Sequence, residues 1–196
     1  MKHSHLRQIV EYIKRFRKIS AIYRVDDRVL KIVFDKDDVL YFDMSASHAK
    51  IFKCADFVRS KIYSAPFDVL LFKRFNRADI KSVALHNDDK IIRFELSVAS
   101  AYKSETTYLQ LEFTGKHTNI IILDENEIVL EALRHVDLYA SFREVRVGQK
   151  LLEAPKAPYT PKEYPINNME RYLYGIYEEE QLHKLEALKE QKVRAL

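Results

Sequence analysis

Leu6, Ile9, Val10, Ile13, Phe16 and Ile19 recur at helical spacing with Arg7, Lys14, Arg15, Arg17 and Lys18 between them, which predicts a basic amphipathic helix at the start of the chain. The hydrophobic period then shortens. Residues 21–25, 29–34 and 39–44 are strand-like runs broken by Asp26-Asp27 and Asp35-Lys36-Asp37-Asp38, so an antiparallel meander is expected, with residues 51–54 as a further strand. Pro66 followed by Phe67, Val69, Leu70, Leu71, Phe72 and Phe75 predicts a helix with proline in its first turn. Its Lys73, Arg74 and Arg77 fall near the C-terminal end, where cations complement the helix dipole. Residues 80–85 and 91–98 flank His86-Asn87-Asp88-Asp89-Lys90, which reads as a hairpin with a charged turn. Leu109, Leu111 and Phe113 share one strand face; Gly115-Lys116-His117-Thr118-Asn119 reverses the chain, and residues 120–123 re-enter a core as a second hairpin with a basic tip. Residues 128–136 follow as another apolar run.

Beyond this the texture changes. Pro155, Pro158, Pro161 and Pro165 cannot pair in a sheet interior, so residues 156–168 are expected to form an extended, surface-hugging linker after a domain spanning residues 1–155. From Met169 the pattern turns helical. Leu182, Leu185, Leu188, Val193 and Leu196 among Glu and Lys resemble the opening of a coiled coil or helical hairpin over residues 169–196. That seam is still running where the chain stops, which suggests a fragment of a longer protein. The fold class expected is α+β: an antiparallel β-sandwich or meander flanked by helices, followed by a C-terminal helical segment.

Composition adds limits. A chain of 196 residues that is 47% hydrophobic can bury a full core. Thirty-three Lys and Arg against 29 Asp and Glu give a net charge of +4, compatible with a polyanionic partner without requiring one. The single cysteine, Cys54, excludes an internal disulfide framework and a multi-cysteine zinc site, and suits a reducing cytosol. No apolar run approaches the roughly 20 residues that span a bilayer, and Met1-Lys2-His3-Ser4 lacks the apolar segment of a secretory signal. A cytoplasmic protein with no membrane partner is expected.

Familiar catalytic signatures are absent: no Gly-rich phosphate loop, no His-Glu-x-x-His, and no Ser or Cys nucleophile in a recognisable setting. Asp26-Asp27, Asp37-Asp38 and Asp88-Asp89 sit in turns, where aspartate serves local hydrogen bonding. Histidines are scattered, His3 and His5 being the nearest pair, and Cys54 reads as a small core residue. The expectation is a non-enzymatic protein without cofactor or metal.

Five segments, in order and in spacing, carry a resemblance. They are Pro66-Phe67-Asp68-Val69-Leu70-Leu71-Phe72-Lys73-Arg74, Asp89-Lys90-Ile91-Ile92-Arg93-Phe94, the Gly115-Lys116-His117-Thr118-Asn119 hairpin, Ile128-Val129-Leu130-Glu131-Ala132-Leu133-Arg134-His135-Val136, and Arg143-Glu144-Val145-Arg146-Val147-Gly148-Gln149. Together they resemble the amino-terminal domain of the fibronectin-binding-protein-A-like family, also called the NFACT family. The resemblance implies a factor of bacterial ribosome-associated quality control. Such a factor binds stalled large ribosomal subunits bearing peptidyl-tRNA and recruits tRNA for C-terminal alanine tailing, and the domain would be its RNA-binding module. It also implies a fold similar to the amino-terminal domain of formamidopyrimidine-DNA glycosylases. Glycosylase chemistry does not follow, because those enzymes use an amino-terminal proline and a zinc finger whereas this chain begins Met1-Lys2 and has one cysteine. The older family name implies an alternative, a surface adhesin for fibronectin or fibrinogen. The lack of a signal, anchor or disulfide argues against it.

The family's acidic-basic pair, usually Asp-Arg and linked to tRNA binding, falls on Asp89 and Lys90. Lysine keeps the charge and loses the planar fork that grips phosphate or stacks on a base. The same residues also read as an ordinary solvated turn. Lys116 and His117 are further candidate RNA contacts, although Gly115 and Asn119 around them are equally the chemistry of a tight turn. Arg134, Arg143 and Arg146 would extend the basic surface, or would be only the wet face of a strand.

Overall fold

The alternating runs become two antiparallel sheets. The computed structural model describes residues 1–98, 104–156, 160 and 162–194. Strands β1 (Ile19–Asp26), β2 (Val29–Phe34), β3 (Asp38–Asp43) and β4 (Lys50–Phe52) form one meander, in the order β1-β2-β3-β4. Strands β5 (Asp79–Leu85), β6 (Ile91–Val98), β7 (Glu105–Glu112), β8 (Asn119–Leu123) and β9 (Val129–Ala132) form the other, again in sequence order. Helices α1 (His3–Ile13), α2 (Pro66–Phe75) and α3 (Met169–Arg194) flank them. The α+β class and the antiparallel pairing are as the sequence pattern predicts.

The sheets share a core. Ile22, Leu30, Ile32, Phe34, Leu40 and Phe42 of the first are buried in one cluster with Ile92, Phe94, Leu96, Leu109, Leu111 and Ile120 of the second. Phe34 lies 6.2 Å from Phe94, ring centre to ring centre and nearly parallel. The sheets are also stitched where β1 meets the start of β5: Ile19 N–H donates to the Ala78 carbonyl at 2.9 Å and Ile80 N–H to the Arg17 carbonyl at 2.8 Å.

That stitch corrects the reading of the first helix, which stops at Ile13 and does not run on to Ile19. The Asp35 carboxylate accepts the backbone N–H groups of Arg17 and Lys18 at 3.0 and 3.1 Å, holding them out of the helix. Helical spacing persists in the sequence because a register shift between Ile19 and Ala21 brings Ile19 and Ile22 into the same core, while Val25 is buried on the opposite face with Tyr41 and Phe52. In α2, the Asp68 carboxylate reaches back to the Ala65 N–H at 3.0 Å and also takes the Arg24 guanidinium from β1 in a two-pronged pair at 2.9 and 2.5 Å.

Residues 133–155 fold over the outer face of the second sheet, where Val145 and Leu151 join Ile121, Leu123, Val129 and Ala132 in a second cluster. Residues 163–166 run along α1: Tyr164 N–H donates to Ser4 Oγ at 3.0 Å and Ile166 N–H to Gln8 Oε1 at 2.8 Å. Residues 157–159 and 161, with Pro158 and Pro161, lie outside the described residues. The start of α3 packs onto the first sheet. Leu173 is in the main core, and Tyr177 stacks on Phe52 at 5.2 Å. The buried Lys53 ammonium bridges Asp38 at 2.5 Å and Glu170 at 2.8 Å. Leu182, Leu185 and Leu188 further along remain exposed. Among the described residues, no helix is long and apolar enough to cross a membrane.

Candidate functional site

Register decides which turns meet. Ile91 pairs with Glu112 and Leu111 with Ile120, so the β5–β6 turn and the β7–β8 turn emerge at the same end of the second sheet. Residues 133–155 return past that end. Between the three lies a cleft of about 620 Å³ whose walls include Asp89 and Lys90, then Lys116 and His117, then Arg134 and Arg143. Six of the seven residues singled out in the sequence therefore line one cavity. Arg146 does not; it is exposed beside it and paired with Asp137 and Glu144.

The β5–β6 turn is a short 3-10 turn in which Asn87 and Asp88 take left-handed backbone angles, φ 54° and 53°, which those two residue types tolerate. Asp89 N–H donates to the His86 carbonyl at 3.1 Å, and the Asp89 carboxylate accepts the Lys90 N–H at 2.7 Å. From α1 the buried His3 donates Nε2–H to the Asp88 carbonyl at 2.9 Å, tying the helix to this turn. Burial, and then the nearby Arg93 charge, hold the His86 imidazole below its usual range. Asp89 is thus a turn-former as well as a cleft residue.

At the β7–β8 turn Gly115 sits at φ +66°, where a side chain would be strained. Thr118 Oγ1–H donates to the Met44 carbonyl at 2.8 Å, tying the turn to the first sheet. The buried Asn119 side chain accepts Arg134 N–H at 3.0 Å and donates to the Arg134 carbonyl at 2.8 Å, fixing the third wall against the second. Lys116 and His117 are left exposed above these anchors.

Arg143 is a structural residue at the cleft floor. Only 5% exposed, it pairs with the Glu112 carboxylate, itself 2% exposed, and donates to the Leu152 carbonyl at 2.9 Å. Gln110 donates to Glu112 at 2.7 Å and accepts from Arg93 at 2.9 Å, while Arg93 reaches Glu127 at 2.5 Å. The result is a continuous hydrogen-bonded chain from the half-buried Glu127 to the buried Arg143. Sequence reasoning missed it because Gln110 and Glu112 alternate with Leu109, Leu111 and Phe113 like a solvated face. Nothing local shows that residues 133–155 cover them.

Arg134 differs. It is half-buried, its guanidinium donates to Thr118 Oγ1 at 3.2 Å, and burial followed by the charge of Arg28 pushes it below the usual arginine range. No carboxylate oxygen lies within 4.0 Å of the Lys90 or Lys116 ammonium or the Arg134 guanidinium among the described residues. Phe142, 51% exposed, was also missed and adds an aromatic wall. Uncompensated cations around a concave wall suit a phosphate-bearing anion. No group of His, Cys, Asp and Glu among the described residues could hold a metal ion.

The family model described as NFACT N-terminal and middle domains matches residues 5–185. A relative from Streptococcus suis strain 05ZYH33, named Rqc2 homolog RqcH, is 29% identical over 113 residues, covering 54% of this chain and 20% of that protein. The match therefore spans about a fifth of that relative's length. Among solved structures, the N-terminal domain of fibronectin-binding protein PavA from Streptococcus pneumoniae aligns with a TM-score of 0.69 at 22% identity, covering 82% of this chain and 64% of that one. The N-terminal part of the fibronectin/fibrinogen-binding protein FBPS from Streptococcus suis aligns at 0.68 and 21%, covering 80% and 62%. The fibrinogen-binding protein from Staphylococcus aureus aligns at 0.63 and 19%, covering 81% and 58%. At these identities the likeness to solved structures is one of fold.

Proposed function

The chain belongs to the NFACT family, and on that premise we propose that its cleft is the RNA-binding site of a ribosome-associated quality control factor. The factor binds stalled large ribosomal subunits bearing peptidyl-tRNA and recruits tRNA for C-terminal alanine tailing; this part contributes binding and no catalysis, and works in the cytoplasm. The observation that carries the reading is the convergence of Lys90, Lys116 and Arg134, none with a carboxylate partner, around the position of the family's acidic-basic pair. The 29% identical relative named Rqc2 homolog RqcH supports the direction.

Cations that neutralise backbone phosphates release counterions, so affinity for tRNA should fall with salt. Three such contacts give a slope of log affinity against log salt of about −2 to −3. Filter binding of tRNA between low and physiological salt measures it, with the double variant Asp89→Ala, Lys90→Ala alongside. Affinity that is unchanged in the double variant removes this turn from the site. Co-sedimentation with large ribosomal subunits tests the partner.

A second reading draws on the solved neighbours, which are named as fibronectin- or fibrinogen-binding proteins. It expects the chain to bind immobilised fibronectin and to be insensitive to changes at Lys90. Fibronectin binding without any ribosome association would favour it.

A further inference from the structure

Five arginines among the described residues are not exposed: Arg24, Arg74, Arg93, Arg134 and Arg143. Four have a carboxylate, respectively Asp68, Glu105, Glu127 and Glu112 for Arg24, Arg74, Arg93 and Arg143. Arg134 has none. A guanidinium offers five N–H donors, and among the described residues the one protein acceptor this one meets is Thr118 Oγ1 at 3.2 Å. A partly desolvated cation without a counter-charge is costly to hold, so this corner of the cleft is electrostatically incomplete.

The backbone of a second arginine is tied into the same corner. Arg28, in the turn between β1 and β2, offers its carbonyl to Met44 N–H at 2.8 Å; the Met44 carbonyl in turn accepts Thr118 Oγ1–H at 2.8 Å, and Thr118 Oγ1 accepts from Arg134. These bonds bring the Arg28 backbone and the Arg134 side chain into one corner where the two sheets meet. No carboxylate oxygen lies within 4.0 Å of the Arg28 guanidinium among the described residues, and its charge acts, after burial, in the direction that lowers Arg134. Like charges near one another repel, and an anion between them relieves that repulsion.

We propose that Arg28 and Arg134 form a phosphate seat at the rim of the cleft, completed by a backbone phosphodiester of bound RNA. The seat deepens, and rests on, the reading of the cleft as an RNA site. Paired guanidiniums present planar forks that match phosphate oxygens, and the seat lies on the wall facing the Lys90 turn, so a strand crossing the cleft meets cations on both sides.

Tests use the chain with bulk tRNA, and separately with inorganic phosphate at constant ionic strength. Arg134→Gln keeps a donor for Thr118 and loses the charge; Arg28→Gln is at an exposed position, and thermal melts verify that both variants fold. Each is expected to weaken tRNA binding about tenfold and to reduce the magnitude of the salt slope by about 0.7–0.9, with Lys189→Gln on α3 as the neutral control. Wild-type tRNA binding with unchanged affinity and slope in both variants overturns the seat and leaves the RNA reading standing. Failure of the wild type to bind tRNA overturns the RNA reading. In that case the Arg134 Nε–H resonance decides: a saturable shift with phosphate but not chloride keeps a seat for a small phosphate ligand, and no shift overturns it.

Discussion

Arg143 and Arg134 line one cleft and differ in what surrounds the guanidinium. Arg143 arises in the covering segment, plunges beneath the surface and meets Glu112, Gln110 and, through Gln110, Arg93. Arg134, nine residues earlier in the chain, stops at the rim with one hydroxyl acceptor. Desolvation acts on both, and only the first has a counter-charge to offset it. The contrast separates a residue that holds the cleft together from one whose charge is free for a ligand, although both are arginines in a basic stretch.

The contrast can be broken most directly at Glu112. Glu112→Ala leaves Arg143 buried and unpaired, for which a loss of about 3–5 kcal/mol is expected in denaturant unfolding. Arg134→Gln, which removes an unpaired charge and keeps a donor for Thr118, should leave stability within about 1 kcal/mol of the wild type or raise it. Equal losses would mean that the two arginines play the same part. The double variant Asp89→Ala, Lys90→Ala should run the other way, with tRNA affinity reduced about tenfold or more and unfolding only slightly changed, since these side chains sit on a solvated turn.

His3 sharpens the comparison from the opposite wall. His3→Leu removes the donor to the Asp88 carbonyl and should cost about 1 kcal/mol and weaken tRNA binding; His3→Gln, whose Nε2 reaches the same place, should restore both. If Gln behaves as Leu does, the hydrogen bond is not what sets the turn.

The smallest effect is expected far from the cleft, at Lys53. Burial pushes the Asp38 and Glu170 carboxyls up, but the Lys53 ammonium outweighs it and both are held below their usual values. A depressed carboxyl contributes stability that is present above its unfolded value and is lost as pH falls through the folded one. Docking of α3 should therefore loosen below about pH 4.5, the ordinary glutamate value, and be flat from there to neutrality. Amide exchange at Leu173 against pH measures this, and Lys53→Met should abolish the dependence.

Much of the frame was legible in the chain. The Asp-rich breaks marked the turns of the first sheet, Pro66 marked the start of α2, and the Gly115 turn joined two strands as its chemistry requires. These are local signals, settled within a few residues by backbone preference and alternation. The end of α1 was not legible, because Asp35 captures Arg17 and Lys18 from a strand turn further on. Nor was the burial of Gln110 and Glu112. Their alternation is that of a wet face, and the segment that dries it is far along the chain.

By itself, then, the sequence determined which residues form strands and turns, and which residue types stand at the turn tips: aspartate and lysine at one, lysine and histidine at the other. Only the tertiary structure decided that those tips share a cleft, because sheet register sets which ends coincide. It also decided which cations there are neutralised. Charge pairing depends on distance and desolvation between groups remote in sequence, and so Arg143 and Arg134, alike on paper, became a buried strut and an unpaired cation.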